Sequence, residues 1–360
     1  MKETTLPNAR SSPVSQFVQI VRQGALPALR LLARPSTLAQ IPRLFGEGLG
    51  PARRLFIQAA NDREMARLVR EGESITFVSS LLRCGSTWMC YLLCDVLLQN
   101  NGIQTTTEMP VDRKRIVLDP YARLIARRDK SVRTPGYIIK THDLVPELQA
   151  RIGGDAGVRR CHYLYLYRAP EDALVSTCYL FRREKYLHNK PLYELACRDI
   201  DLFCIESVPE WIERFKSYLD AMEEGVDVHL VRYDQLLRQT CAVLGDTLDW
   251  IGLPHTPAML ARAQSNMEFS KLQAMEAKTL GKQIPFFRRG QNGSGKLELK
   301  PETVARIRDA TQSVMARADE RLARQAAARQ FALAEPMPAE PGEVRSRNGQ
   351  SRDIPACSSR

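Results

Sequence analysis

A continuous apolar segment followed by a helical pattern stands out between residues 74 and 100. Residues 75 to 82 are mostly apolar or β-branched, which predicts a strand that is buried on both faces. From Trp88 onward, apolar residues recur at intervals of three and four, as they do on one face of a helix. The short turn Arg83-Cys84-Gly85-Ser86-Thr87 lies between the two. The pattern therefore predicts a strand that enters a helix through a tight turn.

This turn has the composition of an anion-binding site. The amides at a helix N-terminus lack partners within the helix and carry the positive end of its dipole, so they attract phosphate-like groups. Gly85 allows an anion to come close to the backbone, and Arg83 adds a positive charge. The Gly-Lys-Ser/Thr ending that would hold Mg²⁺ is missing, which argues against a nucleoside triphosphatase loop.

Three further apolar segments read as buried strands, at residues 136–140, 161–167 and 226–231. Helical patterns separate them, and strands that alternate with helices pair in parallel through right-handed crossovers. The predicted fold is therefore α/β, a three-layer sandwich with a central, mainly parallel sheet and a phosphate-binding strand–loop–helix.

Three cations lie where predicted strands end: Arg83, Lys140 and Arg168. In sheets of this type, ligands bind at the carboxyl ends of the strands. We therefore expect the three side chains to converge at one edge of the sheet. His142 is the only histidine placed at such an end beside these cations, and its ordinary pKa lies near neutral pH. The other four histidines are expected to be structural or exposed.

The charge balance and the cysteines narrow the class of protein. The chain has 360 residues and a net charge of +11, which favours anionic partners without saying which. Its nine cysteines include no Cys-x-x-Cys pair and no regular spacing, so we expect reduced thiols and a cytoplasmic protein. Arginines interrupt each apolar run near the N-terminus, so neither a secretory signal nor a membrane span is expected there.

The chain divides into three predicted parts. Residues 1–70 form a basic N-terminal extension of short helical segments, because prolines prevent one long helix. This extension either packs on the main domain or presents a basic amphipathic patch to an anionic membrane; an organelle transit peptide has a similar composition. Residues 71–333 form the main domain. Residues 334–360 are rich in Pro, Ser, Arg and Glu and are expected to be disordered.

A glycine-rich segment at residues 290–296 nearly spells a second phosphate-binding loop. Its sequence GQNGSGK fits the pattern G-x-x-x-x-G-K, but Leu297 stands where a Mg²⁺-binding hydroxyl is required. The segment before it is not a clean buried strand. We therefore do not expect a triphosphatase, although a basic, glycine-rich loop that folds over an anion fits the sequence.

Together, these segments resemble the sulfotransferases that use 3′-phosphoadenosine-5′-phosphosulfate (PAPS). LLRCGSTW resembles the family's 5′-phosphosulfate loop, usually PKSGTTW, and IIKTH resembles the next motif. YRAPEDALVS resembles the 3′-phosphate motif, with the same eight-residue spacing of Arg and Ser. VRYDQLL resembles the family's Tyr-Glu-Asp segment, and FFRRGQNGSGK, Phe286 to Lys296, resembles its closing RKGxxGDWK loop. The resemblance covers roughly residues 74–300.

The resemblance implies a role for each matching residue. Arg83 and the turn amides would hold the sulfonate and 5′-phosphate, while Arg168 and Ser176 would bind the 3′-phosphate under a closing loop. The implied donor-binding residues are Arg83, Cys84, Gly85, Ser86, Thr87, Trp88, Arg168, Ser176, Tyr233, Phe269, Arg288, Arg289 and Gly290. His142 would be the general base, with Lys140 and Arg83 stabilising charge on the leaving oxygen. The implied product is 3′,5′-adenosine bisphosphate (PAP), and no metal is required.

Two departures from the family pattern bear on the site. Arg83 replaces the usual loop lysine, so the charge is kept but proton donation is lost. Asp143 follows His142 where the family has an apolar residue, which places a second candidate base beside the first. The sequence leaves the acceptor open among small molecules, glycans and lipids, and it does not determine the oligomeric state.

Two other classes of function compete with this interpretation. A non-catalytic nucleotide- or RNA-binding protein could use the basic edge of the sheet, but no stacking platform or known RNA-binding module is visible, so no nucleic acid is expected as a partner. A P-loop kinase is disfavoured because both the Gly-Lys-Ser/Thr ending and a Mg²⁺-binding Asp are missing.

Overall fold

The computed structural model describes residues 50–106, 113–120, 124–183, 190–280 and 287–334. Its core is a sheet of four parallel strands in the order β2-β1-β3-β4. The strands are β1 Ile75–Ser80, β2 Tyr137–Thr141, β3 His162–Tyr167 and β4 Val228–Arg232. All four lie within two residues of the predicted segments, which confirms the predicted parallel sheet. β1 ends two residues before the predicted limit, because the chain already turns at Leu81.

Helices cover both faces of this sheet. In chain order they are α1 Gly50–Arg70, α2 Ser86–Asn100, α3 Val145–Ile152, α4 Gly154–Val158, α5 Pro170–Arg183, α6 Lys190–Arg198, α7 Ile200–Glu206, α8 Val208–Glu223, α9 Tyr233–Arg238, α10 Thr240–Trp250, α11 Pro257–Asn266, α12 Phe269–Leu280, α13 Ser294–Glu298 and α14 Pro301–Ala334. Successive strand residues point to opposite faces, so Phe77 and Val78 enter two separate hydrophobic clusters. The predicted three layers follow from this double burial.

Each layer has its own set of helices. The cluster that contains Phe77 draws buried residues from α1, α3, α5, α8 and α14, and the cluster that contains Val78 draws them from α2 and α9 to α12. On the first face, Tyr165 stacks on Tyr218 of α8 with ring centroids 4.2 Å apart. Such aromatic packing explains why β3 tolerates three tyrosines in a buried position.

The second half of α1 is part of the folded core. Met65, Leu68 and Val69 are buried, and the side chain of Asn61 donates to the carbonyl of Pro120 and accepts from the amide of Ile125. Residues 1–49 and 335–360 lie outside the described residues. The predicted membrane-facing patch, disordered tail and domain limits therefore stay predictions.

Two observations concern the wider character of the chain. Within the described ranges, no helix combines the length and the apolarity that crossing a bilayer requires. The eight cysteines in the described part of the chain are free thiols.

Candidate active site

One cavity lies at the carboxyl end of the parallel strands and holds about 790 Å³ including its open mouth. It is lined by Leu82, Arg83, Gly85, Ser86, Thr87, Trp88, Lys140, His142, Arg168, Ser176, Leu180, Tyr233, Phe269, Phe287, Arg288, Arg289, Gly290, Gln291 and Ser294. With the exceptions of Cys84 and the second candidate base Asp143, the residues proposed from sequence to bind the donor or catalyse its reaction all line this cavity. Parallel pairing produces this convergence, because β1, β2 and β3 all end at the same edge.

The turn after β1 presents the N-terminus of α2 to the cavity. Gly85 is the N-cap residue, with φ of 98°, and it provides no side-chain cap to the first-turn amides. A Cβ atom on Gly85 would lie 2.6 Å from the Tyr233 ring, so both the backbone conformation and the space require glycine. Arg83 also has a positive φ, of 70°, which an L-residue adopts only with some strain. The turn thus holds its amides open for an anion.

Arg83 connects this turn to α5. Its Nε atom donates to the Ser176 hydroxyl over 3.1 Å, which joins the two segments that the sequence assigned to different phosphates. Burial, followed by the positive charges of Arg168 and Arg183, lowers the pKa of Arg83 to about 10. Arg83 therefore remains a cation at neutral pH, and the repulsion among these cations favours binding of an anion.

Lys140 and His142 lie on the other side of the turn. Lys140 Nζ donates to the Thr87 hydroxyl over 3.1 Å. His142 Nδ1 is 2.8 Å from the carbonyl oxygen of Ser80, which can only accept, so Nδ1 carries the proton and the neutral ring keeps its lone pair on Nε2. Burial, with the charge of Lys140 adding to it, lowers the pKa of His142 to about 4. His142 is therefore neutral at pH 7.

Helix α8 fixes the backbone of this segment. Arg214 donates to the carbonyl of His142, and one turn later the Tyr218 hydroxyl donates to the carbonyl of Asp143 over 2.8 Å. Ser79 in turn donates to the Tyr218 hydroxyl over 2.6 Å. The sequence did not single out Arg214 or Tyr218, because they lie about 70 residues from the segment they support.

Asp143, the second candidate base, is engaged elsewhere. Its Oδ2 atom accepts from Arg151 over 2.6 Å and from the Thr141 hydroxyl over 2.7 Å, and the side chain does not line the cavity. Of the two neighbours, His142 alone has the position of a base.

Arg168 is buried beside the turn. Its guanidinium lies 4.8 Å from the centre of the Tyr233 ring, and Nη2 donates to the carbonyl of Gln291. Nε is buried and has no hydrogen-bond partner within the described chain. A buried N–H group without a partner is unfavourable unless a ligand supplies an acceptor. This donor therefore fits an anionic oxygen entering from the cavity.

The carboxylate of Asp172 holds the glycine-rich loop in place. Its carboxylate accepts from the amides of Gly293 and Gly295, each over 2.7 Å, and its Oδ2 atom is 3.6 Å from Arg168 Nη2. The loop therefore folds over an anion as expected, but the anion is a side chain of the protein itself. Gly290 has φ of 60° and approaches the Phe269 ring so closely that a Cβ atom would lie 2.5 Å away.

Arg288 and Arg289 at the start of this loop share one carboxylate. Glu298 Oε1 accepts from Arg288 Nη1 over 2.6 Å and lies 3.2 Å from Arg289 Nη1. Burial alone would raise the pKa of Glu298, but hydrogen bonds from Arg288 and Tyr179, together with both arginine charges, outweigh it and lower the pKa. Glu298 is therefore ionised at neutral pH.

The predicted adenine-packing aromatics lie together in the cavity. Trp88 and Tyr233 meet edge to face with centroids 6.3 Å apart, and the Trp88 indole donates to the carbonyl of Met267 over 2.8 Å. Phe269 packs against Phe287 at 5.9 Å. The indole N–H is thus already satisfied, which leaves the faces and edges of these rings for contact with a ligand.

Cys84 is the one predicted donor-binding residue whose side chain does not reach the cavity. It is 1% exposed within the core cluster on the opposite side of the turn, and burial raises the pKa of its thiol to about 12. The prediction of donor binding can hold for Cys84 only through its backbone. The sequence did not point to the cavity residues Leu82, Leu180, Phe287, Gln291 and Ser294 as binding residues.

Comparison with known proteins identifies the type of domain. A family model described as a sulfotransferase domain matches residues 73–319, and no curated protein matches the chain. Mouse sulfotransferase SULT7A1 complexed with PAP is 15% identical, aligned over 71% of this chain and 91% of its own, with a TM-score of 0.49. Retinol dehydratase in complex with androsterone and inactive cofactor PAP is 14% identical, aligned over 71% of this chain and 85% of its own, with a TM-score of 0.46. Sulfotransferase STF9 from Mycobacterium avium is 14% identical, aligned over 73% of this chain and 84% of its own, with a TM-score of 0.39.

Proposed function

This chain belongs to the sulfotransferase family, and we propose that it transfers a sulfuryl group from PAPS to a hydroxyl or amine of an acceptor. The observation that carries the proposal is that Arg83, Lys140, His142 and Arg168, from the ends of three separate strands, line one cavity at the N-terminus of α2. If these side chains had only structural roles, such as surface ion pairs, they would not need to meet in one cavity. In-line transfer through a loose transition state needs positioning and charge stabilisation more than covalent chemistry.

We propose that the donor's 3′-phosphate binds near Arg168 and Ser176. The buried Nε of Arg168, which lacks a partner within the described residues, supports this assignment because it provides a donor for a phosphate oxygen. Arg288, Arg289 and Gly290 would close over the same phosphate from the other side of the cavity. Trp88, Tyr233 and Phe269 would contact the adenine.

At the reacting end, Arg83 and the amides of Gly85, Ser86 and Thr87 would hold the sulfonate and 5′-phosphate. The bond between sulfur and the bridging phosphate oxygen breaks while the acceptor oxygen or nitrogen bonds to sulfur. Negative charge then develops on the bridging oxygen, and Arg83 and Lys140 would stabilise it. The distance of 3.1 Å between Lys140 and Thr87 supports this, since it places the ammonium beside the turn.

His142 would take the proton of the acceptor on Nε2. The hydrogen bond from Nδ1 to Ser80 supports this role because it fixes the required tautomer. A pKa of about 4 makes the ring a weak base in the ligand-free protein. An anionic donor in the cavity would favour the protonated form and raise this pKa. Donor binding would therefore strengthen the base before the acceptor reacts.

The test is His142→Ala, assayed with ³⁵S-labelled donor against a panel of acceptors. Loss of a general base typically slows turnover about 10²–10⁴-fold, so we expect at least about a hundredfold loss at saturating donor with nearly unchanged PAP affinity. His162→Ala is the matched control, because His162 pairs with Asp227 at the opposite end of β3. Equal rates for His142→Ala and wild type would contradict the role of His142.

A second measurement distinguishes the proposal from nucleotide or RNA binding without chemistry. We expect PAP to raise the melting temperature more than ATP with Mg²⁺ or a short RNA does, because Arg168 and Ser176 match a 3′-phosphate that ATP lacks. Stabilisation by RNA alone would contradict the proposed function.

The acceptor, the compartment and membrane contact extend the proposal. A small molecule, glycan or lipid remains the proposed acceptor, and the free thiols support the proposed cytoplasmic location. Peripheral membrane contact through residues 1–70 is proposed from their basic, amphipathic sequence. We propose that no metal takes part, since the cations of the cavity supply the charge that a metal would.

A further inference from the structure

Glu298 forms ion pairs with the two arginines that are expected to bind the 3′-phosphate. A single oxygen, Oε1, contacts Nη1 of both Arg288 and Arg289. The pair is largely shielded from water, since the side chains of Arg288 and Glu298 are 14% and 11% exposed. An ion pair shielded in this way is screened much less than one on the surface. Glu298 therefore has a substantial effect on how strongly these arginines bind another anion.

Arg288 is also fixed from a second direction. Its guanidinium lies over the Tyr179 ring, 4.1 Å from the ring centre, and Tyr179 forms a hydrogen bond with Glu298. Gln273 of α12 donates to the carbonyl of Arg288 over 3.0 Å. Arg288 is thus oriented by its backbone and by an aromatic face as well as by Glu298. Removing the charge of Glu298 alone would leave these other supports in place.

The charges at this position can be counted from the residues. Arg288 and Arg289 contribute two positive charges, and the ionised Glu298 reduces their sum to one. A phosphate that approaches Arg288 and Arg289 must either share their Nη1 groups with Oε1 or displace it. In both cases the carboxylate repels the phosphate, and near Arg288, though not near the 44% exposed Arg289, water screens this repulsion poorly.

We propose that Glu298 is an internal counter-ion that competes with the donor's 3′-phosphate for Arg288 and Arg289, weakening PAP binding and speeding its release. The inference rests on the proposed function, because it assumes that the 3′-phosphate binds at these arginines. Glu298 does not line the cavity and acts through the two arginines. In product release, the carboxylate takes the place of the departing phosphate, so the arginines are not left without an acceptor.

The experiment measures PAP binding to the full chain by calorimetry, and PAP dissociation by stopped flow, for wild type and Glu298→Gln. Glutamine keeps the shape of the side chain and an acceptor oxygen but removes the charge. We expect PAP to bind about tenfold more tightly to Glu298→Gln, which corresponds to about 1.4 kcal/mol, with most of the change in slower dissociation. Adenosine 5′-phosphate, which lacks the 3′-phosphate, should bind both proteins equally.

Glu223→Gln is the matched control variant. Glu223 also accepts from two arginines, Arg317 over 2.9 Å and Arg321 over 3.3 Å, but it lies on α8 outside the cavity. A general effect of net charge would tighten PAP binding to both variants, whereas competition at the arginines would appear only in Glu298→Gln. Glu298→Asp provides a second variant, since it keeps the charge but shortens the reach toward both arginines, and it should bind PAP with intermediate affinity.

The outcomes separate the inference from its premise. Tighter PAP binding to Glu298→Gln, with no change for adenosine 5′-phosphate or for Glu223→Gln, supports the inference. Equal or weaker PAP binding by both folded Glu298 variants would overturn it and make Glu298 a support for the arginines. If wild type itself fails to bind PAP, the proposed function falls together with this inference.

Discussion

Replacing Asp172 with Asn tests whether an internal carboxylate holds the closing loop over the cavity. Both carboxylate oxygens of Asp172 accept short hydrogen bonds from the loop, one from the amide of Gly293 and one from the amide of Gly295. Asparagine keeps one acceptor oxygen and replaces the other with an NH₂ group. One loop amide would then face a donor instead of an acceptor.

The magnitude follows from these contacts. A hydrogen bond to a charged group contributes roughly 1.5–3 kcal/mol, and leaving a buried N–H unpaired costs a similar amount. We therefore expect Asp172→Asn to lower the free energy of unfolding by roughly 1.5–3 kcal/mol. For a domain of this size, the melting temperature should fall by roughly 3–12 °C. Losing the negative charge that lies 3.6 Å from Arg168 Nη2 would by itself favour an anion, so the expected loss of PAP affinity comes from the displaced loop.

The loop carries Gly290 and Gln291, and Gln291 accepts from Arg168, so the change should reach the donor site. We expect KM for the donor and the dissociation constant of PAP to rise about tenfold or more, while kcat changes less. Calorimetry with PAP and initial rates at varied donor concentration measure the two effects. KM is expected to change more than kcat because the substitution displaces a loop that binds the donor and does not take part in the chemical step.

Glu171→Gln is the control for this prediction. Glu171 is the neighbouring buried carboxylate, but it accepts from Arg308 of α14 instead of from the loop amides. We expect Glu171→Gln to lower stability with little effect on PAP affinity. The reasoning is refuted if Asp172→Asn binds PAP as wild type does, or if Glu171→Gln weakens PAP binding equally.

Two further predictions concern His142 and its support. Arg214→Gln removes the guanidinium that donates to the carbonyl of His142, and with it a positive charge that lowers the pKa of His142. NMR titration should therefore show a higher pKa for His142, while kcat falls about tenfold and PAP affinity is unchanged. An unchanged pKa and an unchanged rate would contradict this positioning role. The pKa values of His142 and of buried His229 are lowered to about 4 and about 3, so below pH 6.5 these two side chains bind more protons in the unfolded chain than in the folded one. Stability should therefore fall as pH drops from 6.5 toward 4, by up to about 1.4 kcal/mol per pH unit for each histidine, and equal denaturant midpoints at pH 7 and pH 4.5 would exclude this coupling.

The sequence by itself determined the strands and the main cations of the site. Apolar runs such as residues 75–80 predict a strand buried on both faces because its side chains alternate, and Phe77 and Val78 do enter opposite clusters. Parallel pairing then places Arg83, Lys140 and Arg168 at one edge. These features depend on local pattern and on a general rule of topology, so they could be inferred without coordinates.

Only the tertiary structure decided how those side chains are held and balanced. Cys84 lies between two residues of the cavity, yet its side chain enters the core, because the positive φ of Arg83 turns the chain at that point. Asp172 holds a loop about 120 residues away, and Arg214 supports His142 from about 70 residues away. Contacts over such separations leave no periodic signal in the sequence, since they depend on how layers pack and not on the order of residues within one element.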